Sequence, residues 1–241
     1  MSSNLLELDG LNKAFGGNQV ITSLTLKLEE GHVSSLVGPN GAGKTTIFNL
    51  ITGFVSPDSG RVRYAGKDVT GSSPQDLKER GLVRTFQNLR LFLDMTVFEN
   101  VLVSLERMLR GRARARLERV RTKEVLTRVG LWEVRDVKAS ELSYAEKKFL
   151  SIARAMASGA RCLLLDEPAS GLDGPSRTLF HELMREFKAN GQTVLLIEHN
   201  LDIVREVSDS IVFLDRGNIV ASGTAEEIFS DPELSERYFG V

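Results

Sequence analysis

Cysteine is almost missing from this 241-residue chain: Cys162 is the only one. That excludes an internal disulfide and a thiolate metal cluster, and it points to a reducing compartment. Net charge is almost missing too, with 31 Lys and Arg against 32 Asp and Glu. No global field recruits nucleic acid, so a nucleic-acid partner is not expected. No segment approaches the ~18 consecutive apolar residues of a membrane-crossing helix. The opening "MSSNLLELDGLNK" has neither a basic region nor a long apolar run, so a secretory leader is not expected. Internal duplication and low-complexity linkers are lacking as well. The expectation is a soluble protein that acts at a membrane, if at all, by docking onto something that spans it.

What is present is a globular composition, 41% hydrophobic and 26% charged, enough for one large core with a smaller attached part. Leu24, Leu26 and Leu28 alternate with Thr25, Lys27 and Glu29, as in a half-buried antiparallel strand. "HVSSLVG" (32–38) reads as a buried strand running into a glycine-rich turn and a helix. "GRVRYAGKDV" (60–69) reads as a second short sheet region. From 91 to 139 the texture is helical, with seven arginines between Arg107 and Arg121. "CLLLDE" and "TVLLIEH" are apolar strands separated by a helix over 175–190, and "SIVFLDRGNIVASG" is a hairpin. Strands alternating with amphipathic helices predict an α/β fold with a mainly parallel sheet and a helical insertion.

"GPNGAGKTT" (38–46) fits G-x-x-x-x-G-K-S/T and sits between a predicted strand and a predicted helix. The residues are Gly38, Pro39, Asn40, Gly41, Ala42, Gly43, Lys44, Thr45 and Thr46. Such glycines let backbone N–H groups close around phosphates at a helix N-terminus. Lys44 can reach the β and γ phosphates, and the Thr45 hydroxyl can ligate Mg²⁺. Asp166, ending "CLLLD", suits the Mg²⁺ shell. Glu167 suits orientation or deprotonation of an attacking water. Pro168 disfavours the α conformation at Glu167, so the carboxylate is expected to stay extended at the strand end. His199 ends the next strand, and parallel-sheet logic puts it beside Asp166 and the phosphate loop. Gln87 in "VRTFQNLRLF" could reach Mg²⁺ or the water, although a loop glutamine is ordinarily unremarkable. Phe15 in "NKAFGG" could stack on an adenine, although loop aromatics are usually core. His32 and His181 read as structural.

The order of these motifs closely resembles the nucleotide-binding subunits of ABC transporters, over essentially the whole chain. The resemblance implies one ABC ATP-binding domain over 1–241 with the P-loop NTPase fold. Its core, 1–90 and 160–241, would carry an N-terminal antiparallel β region, with a helical signature part over 91–159. It implies ATP and Mg²⁺ as ligands and ATP hydrolysis as the activity. Phe15 matches the A-loop, residues 38–46 the Walker A loop and Gln87 the Q-loop. Residues 142–146 match the signature, 162–166 the Walker B strand with Glu167 as catalytic carboxylate, 170–173 the D-loop ending at Asp173, and His199 the switch histidine. Lys44 would serve catalysis as well as binding, and Gln87 would join Thr45 and Asp166 at the metal. The wording of "ELSYAEKKFLSIARA" and "GLVRTFQNLRLFLDMTVFENV" looks most like an ATPase subunit of branched-chain amino acid importers and their amide or urea relatives.

The resemblance further implies a head-to-tail pair of ATPase subunits, identical or different, seated on permease subunits and served indirectly by a solute-binding protein. Its implied place is cytoplasmic, peripheral on the inner face of the membrane. Each ATP would lie between one subunit's Walker A loop and the other's signature helix, with Ser143 and Ala145 acting in trans. "LSYAE" departs from the family's Leu-Ser-Gly-Gly-Gln: Tyr144 marks the subgroup, Ala145 puts a methyl where glycine is usual, and Glu146 replaces glutamine. Glu146 can still close a capping box with Ser143. The departure should cost ~1 kcal/mol of sandwich stability. Ala145 favours an alternative, an ATP-dependent dimerisation switch with little hydrolysis; Glu167 speaks against it. A non-transport ABC ATPase usually has two cassettes or a long coiled insertion, which this chain lacks. The basic run after Arg107 could meet anionic lipid or a permease loop, although Glu106, Glu118 and Glu124 soften it toward a solvated face. Leu89, Leu91, Phe92 and Met95 are expected to offer apolar contacts to a permease. If the partner ATPase is a different chain, the site completed by this signature should turn over more slowly than its twin. Site-resolved nucleotide trapping in the assembled complex measures that asymmetry.

Overall fold

Strands β1 (Asn4–Phe15) and β2 (Asn18–Glu29) form an antiparallel pair, and β1 also pairs with β4 (Ser59–Tyr64), which carries β5 (Lys67–Asp68). The computed structural model describes residues 4–105 and 112–234. The sheet order is β2-β1-β4-β5. As the alternation predicts, Leu24, Leu26 and Leu28 are buried while Thr25, Lys27 and Glu29 face out. Of the basic run, Glu106, Arg107 and Arg110 lie outside the described residues.

The second sheet has six strands in the order β10-β9-β3-β8-β7-β6. These are β3 (Val33–Val37), β6 (Leu82–Arg84), β7 (Cys162–Asp166), β8 (Thr193–Ile197), β9 (Ser210–Asp215) and β10 (Asn218–Gly223). Strands β9, β3, β8, β7 and β6 run parallel, and β10 is an antiparallel edge. Every residue of β3, β7 and β8 is buried, as expected of parallel strands covered on both faces. The two serines of β3 keep company there: Ser34 Oγ lies 2.8 Å from Ser210 Oγ, and Ser35 Oγ lies 2.5 Å from Ser208 Oγ. Strand β6 was not foreseen, because three residues are too few to show an alternation. Helix α2 (Pro74–Glu79), capped by Ser73, was also missed.

Helix α1 (Lys44–Ile51) follows β3 directly. Helices α3 (Val97–Leu105), α4 (Arg112–Arg128) and α5 (Tyr144–Ala157) fill the middle of the chain. Phe149, Leu150, Ala153 and Met156 of α5 bury against Val97, Val101, Leu105, Leu126 and Val129. Their separations of three, four and seven residues put them on one face of the helix. Helix α6 (Gly174–Ala189) covers β7 and β8 with Phe180, Leu183 and Phe187, while Leu179 sits half-buried at the edge. Helices α7 (Leu201–Val207), α8 (Ala225–Phe229) and α9 (Pro232–Leu234) close the C-terminal side. Among the described residues no helix is long and apolar enough to cross a membrane.

The segment entering α3 is tied to one buried residue. Asn100, 0% exposed, donates Nδ2–H to the carbonyls of Phe92 (2.9 Å) and Thr96 (3.0 Å) and accepts Phe92 N–H (3.0 Å). Its neighbours Phe92, Leu93 and Met95 are exposed, while Leu89 and Leu91 are half-buried. Asn100→Leu leaves that N–H and those carbonyls without their partner, and it should cost about 3 kcal/mol. A urea midpoint lowered at unchanged slope is the expected reading.

Candidate functional site

Residues 38–46 connect the buried strand β3 to the first turn of α1. Gly38 has φ +147°, and a Cβ there would stand 2.0 Å from the Leu214 carbonyl oxygen of β9. Gly43 has φ +107°, and its Cβ would meet Ile21 Cδ1 at 2.7 Å. These glycines therefore serve close packing against the neighbouring strands as well as the loop's own bend. Ala42 N–H donates to the Pro39 carbonyl (3.2 Å), and the Ala42 carbonyl accepts from Gly217 N–H (2.9 Å). Lys44 is 6% exposed and donates to the carbonyls of Gly38 (2.6 Å) and Pro39 (2.9 Å). Burial pushes its amine below the ordinary lysine range, and the charges of Glu167 and Asp166 push back.

Strand β8 lies between β3 and β7, so the phosphate loop, His199 and the acids emerge side by side. Glu167 is the hub. Its Oε1 lies 2.9 Å from His199 Nε2, and its Oε2 accepts from Gln87 Nε2 at 3.1 Å. Together with Asn40, Gly41, Gly43, Lys44, Thr45, Thr46, Val20 and Ile197, these three line a cleft of about 400 Å³. The expected extended backbone at Glu167 is overturned: φ is +50°. Proline after a residue excludes mainly the right-handed helical region, and the left-handed one remained open. A non-glycine residue there costs roughly 1–3 kcal/mol and must be held in place by its surroundings.

Asp166 is 6% exposed and does not stand alone. Its Oδ2 accepts from Arg84 Nη2 at 2.7 Å, and its N–H donates to Thr85 Oγ1 at 3.1 Å. Arg84, on β6, also donates Nη1–H to Asn49 Oδ1 (2.5 Å), and its guanidinium lies 5.2 Å from the Phe48 ring and 4.9 Å from Phe86. Desolvation pushes the guanidinium below its ordinary range, and Asp166 counters this. Sequence reasoning passed over Arg84, Lys148 and Glu198. A charged residue inside an apolar strand, as in "GLVRTF" and "TVLLIEH", is the signal that could have found two of them. Of the three residues expected at a cation, Thr45 and Gln87 line the cleft, whereas Asp166 lies outside its lining with its carboxylate held by Arg84. Among the described residues no group of three or more His, Cys, Asp or Glu is arranged to hold a metal.

The remaining candidates stand away from this cleft's lining. Phe15 is 47% exposed at the end of β1, with Lys13 Nζ 5.4 Å from its ring centre. Ser143 caps α5: Glu146 N–H donates to its Oγ (3.3 Å), and its own N–H donates to Glu146 Oε2 (2.8 Å), the foreseen capping box. Ala145 packs half-buried on the core, and exposed Tyr144 lies against Gly171. Asp173 caps α6 by accepting Ser176 N–H, and hydrogen bonds from the Ser176 hydroxyl and then from that N–H hold its carboxyl below the usual range.

A family profile described as "ABC transporter" matches residues 21–170. The chain belongs to the ABC transporter family. ABC transporter ATPases hydrolyse ATP to drive transport, and this chain is such an ATP-binding, ATP-hydrolysing subunit. It is 39% identical, over 100% of its length and 99% of the relative's, to the high-affinity branched-chain amino acid transport ATP-binding protein BraF of Pseudomonas aeruginosa. Its fold superposes on the ADP conformation of an ABC transporter's ATP-binding cassette with a TM-score of 0.84, 32% identity and full coverage of both chains. It also superposes on a cassette solved as a post-hydrolysis dimer with ADP and Pi, at TM-score 0.82 and 26% identity, covering 91% of this chain and 98% of that one.

The Arg84–Asp166 pair makes a stability prediction. Arg84→Met strands a buried carboxylate, and about 3 kcal/mol should be lost in nucleotide-free urea unfolding. Adding Asp166→Asn should recover most of that loss, because no lone charge remains.

Proposed function

We propose that this chain energises uptake of a small solute, branched-chain or other amino acids, amides or urea, through separate permease subunits. The relatives' printed roles, in branched-chain amino acid transport, support the first of these solutes. In this reading the chain pairs with a second ABC ATPase, sits on the inner face of the membrane through its permeases, and receives solute indirectly from a binding protein. The core spans 1–90 and 160–241, and 91–159 form the signature part. The observation that carries the catalytic assignment is the Glu167 carboxylate held between Gln87 and His199 at the mouth of the phosphate loop.

Lys44 and the loop N–H groups bind the β and γ phosphates. Lys44 lies across loop carbonyls beforehand, so little reorganisation is needed. Glu167 orients the attacking water and takes its proton, with His199 and Gln87 fixing the carboxylate's direction. Phe15, exposed at the strand end, stacks on the adenine. Ser143 and Ala145, at the N-terminus of α5, meet the γ-phosphate of the partner's ATP, and Asp173 borders the same seam. Mg²⁺ suits the oxygen donors present: Thr45, Asp166 and the Oε1 that Gln87 keeps once its Nε2 is engaged by Glu167. Bound there, it would neutralise charge on the phosphates.

Glu167→Gln should lower ATP turnover about 100-fold or more while nucleotide binding persists, as loss of a general base does. Steady-state phosphate release, paired with a fluorescent-nucleotide titration, separates the two effects. Turnover near the wild-type rate would remove Glu167 from this role.

A further inference from the structure

The left-handed backbone at Glu167 has to be held by its neighbours, and two buried charges bond to the peptides around it. Glu167 N–H donates to the Ile197 carbonyl (2.9 Å), which fixes one side of the peptide. Its carbonyl accepts from Lys148 Nζ at 2.5 Å. Two residues on, Ala169 N–H donates to Glu198 Oε1 at 2.6 Å, while Glu198 Oε2 accepts His199 N–H at 3.2 Å. Lys148 is 4% exposed and Glu198 is 1% exposed. Neither belongs to the cleft lining given above. Burial drives the Lys148 amine down and the Glu198 carboxyl up, and each charge opposes the other's shift. An apolar pair of similar size would fill this space at a smaller desolvation cost. What the charges supply is direction, toward one carbonyl and two N–H groups.

We propose that Lys148 and Glu198 are positioning residues for hydrolysis, gripping residues 167–169 from α5 and from the end of β8 so that the Glu167 carboxylate stands between Gln87 and His199. Lys148 also lies 5.1 Å from the centre of the Tyr144 ring at the tip of the same helix. Movement of that tip therefore acts on the Glu167 peptide through one side chain. The inference rests on Glu167 being the hydrolytic carboxylate.

Steady-state ATPase assays on the full chain with MgATP test it. Lys148→Met and Glu198→Leu should each lower kcat about 10- to 100-fold with KM within about twofold, the scale of a misplaced reacting group. Lys148→Arg should restore part of the rate. The double variant Lys148→Met with Glu198→Leu leaves no lone buried charge; it should melt near the wild-type temperature and still hydrolyse slowly. A double variant at the wild-type rate, a raised KM at unchanged kcat, or an Arg variant no faster than Met would overturn the proposal. Glu167→Gln measured alongside separates the premises. If it retains turnover, the catalytic reading of Glu167 falls; if it is inactive while the pair variants run at full rate, only the positioning role falls.

Discussion

The parallel register of β3, β8, β7 and β6 is the constraint on which the site depends. Each strand brings a different part of the candidate site to the same edge: residues 38–46, His199, the two acids, and Arg84 with Gln87. Because strands of one sheet lie about 4.8 Å apart, side chains from neighbouring ends meet without any long loop to place them. Burial on both faces holds the register, since a slip would turn core residues toward the wrong layer. The geometry around Glu167 is therefore a property of the sheet before it is a property of the loops.

Charge in this region is arranged in pairs across elements. Lys44 from α1, Arg84 from β6 and Lys148 from α5 all lose water on burial, and each faces acids at the ends of β7 and β8. In a desolvated setting such cations are favourable only with their counter-charges in place. The arrangement explains how Asp166, Glu167 and Glu198 can crowd one strand edge. Within the chain itself Asp166 is matched with the Arg84 guanidinium, so its carboxylate is not a lone buried charge.

Much of this was legible in the sequence. Residues 38–46 announce their loop by glycine spacing and by the strand and helix around them. The start of α5 was readable from Ser143 and Glu146, and His199 was placed by strand order alone. The hidden parts have physical reasons. Strand β6 is three residues long, and its membership depends on pairing with β7, which no local pattern encodes. Pro168 speaks against one backbone region at Glu167 and is silent on the left-handed one that the tertiary contacts impose. Glu198 was overshadowed by the histidine beside it. Its role depends on Ala169, far away in the chain.

The hydroxyl pairs between β3 and the residues at the start of β9 bear on how the sheet assembles. Ser34 with Ser210, at the start of β9, and Ser35 with Ser208, just before it, are short contacts that pair a buried hydroxyl with a half-buried one. If β9 annealed out of frame during folding, at least one buried hydroxyl would be orphaned, at about 1–3 kcal/mol. Four valines in their place would tolerate the misalignment. The serines thus set a penalty against misaligning the strand that leads into residues 38–46, written in ordinary oxygen atoms.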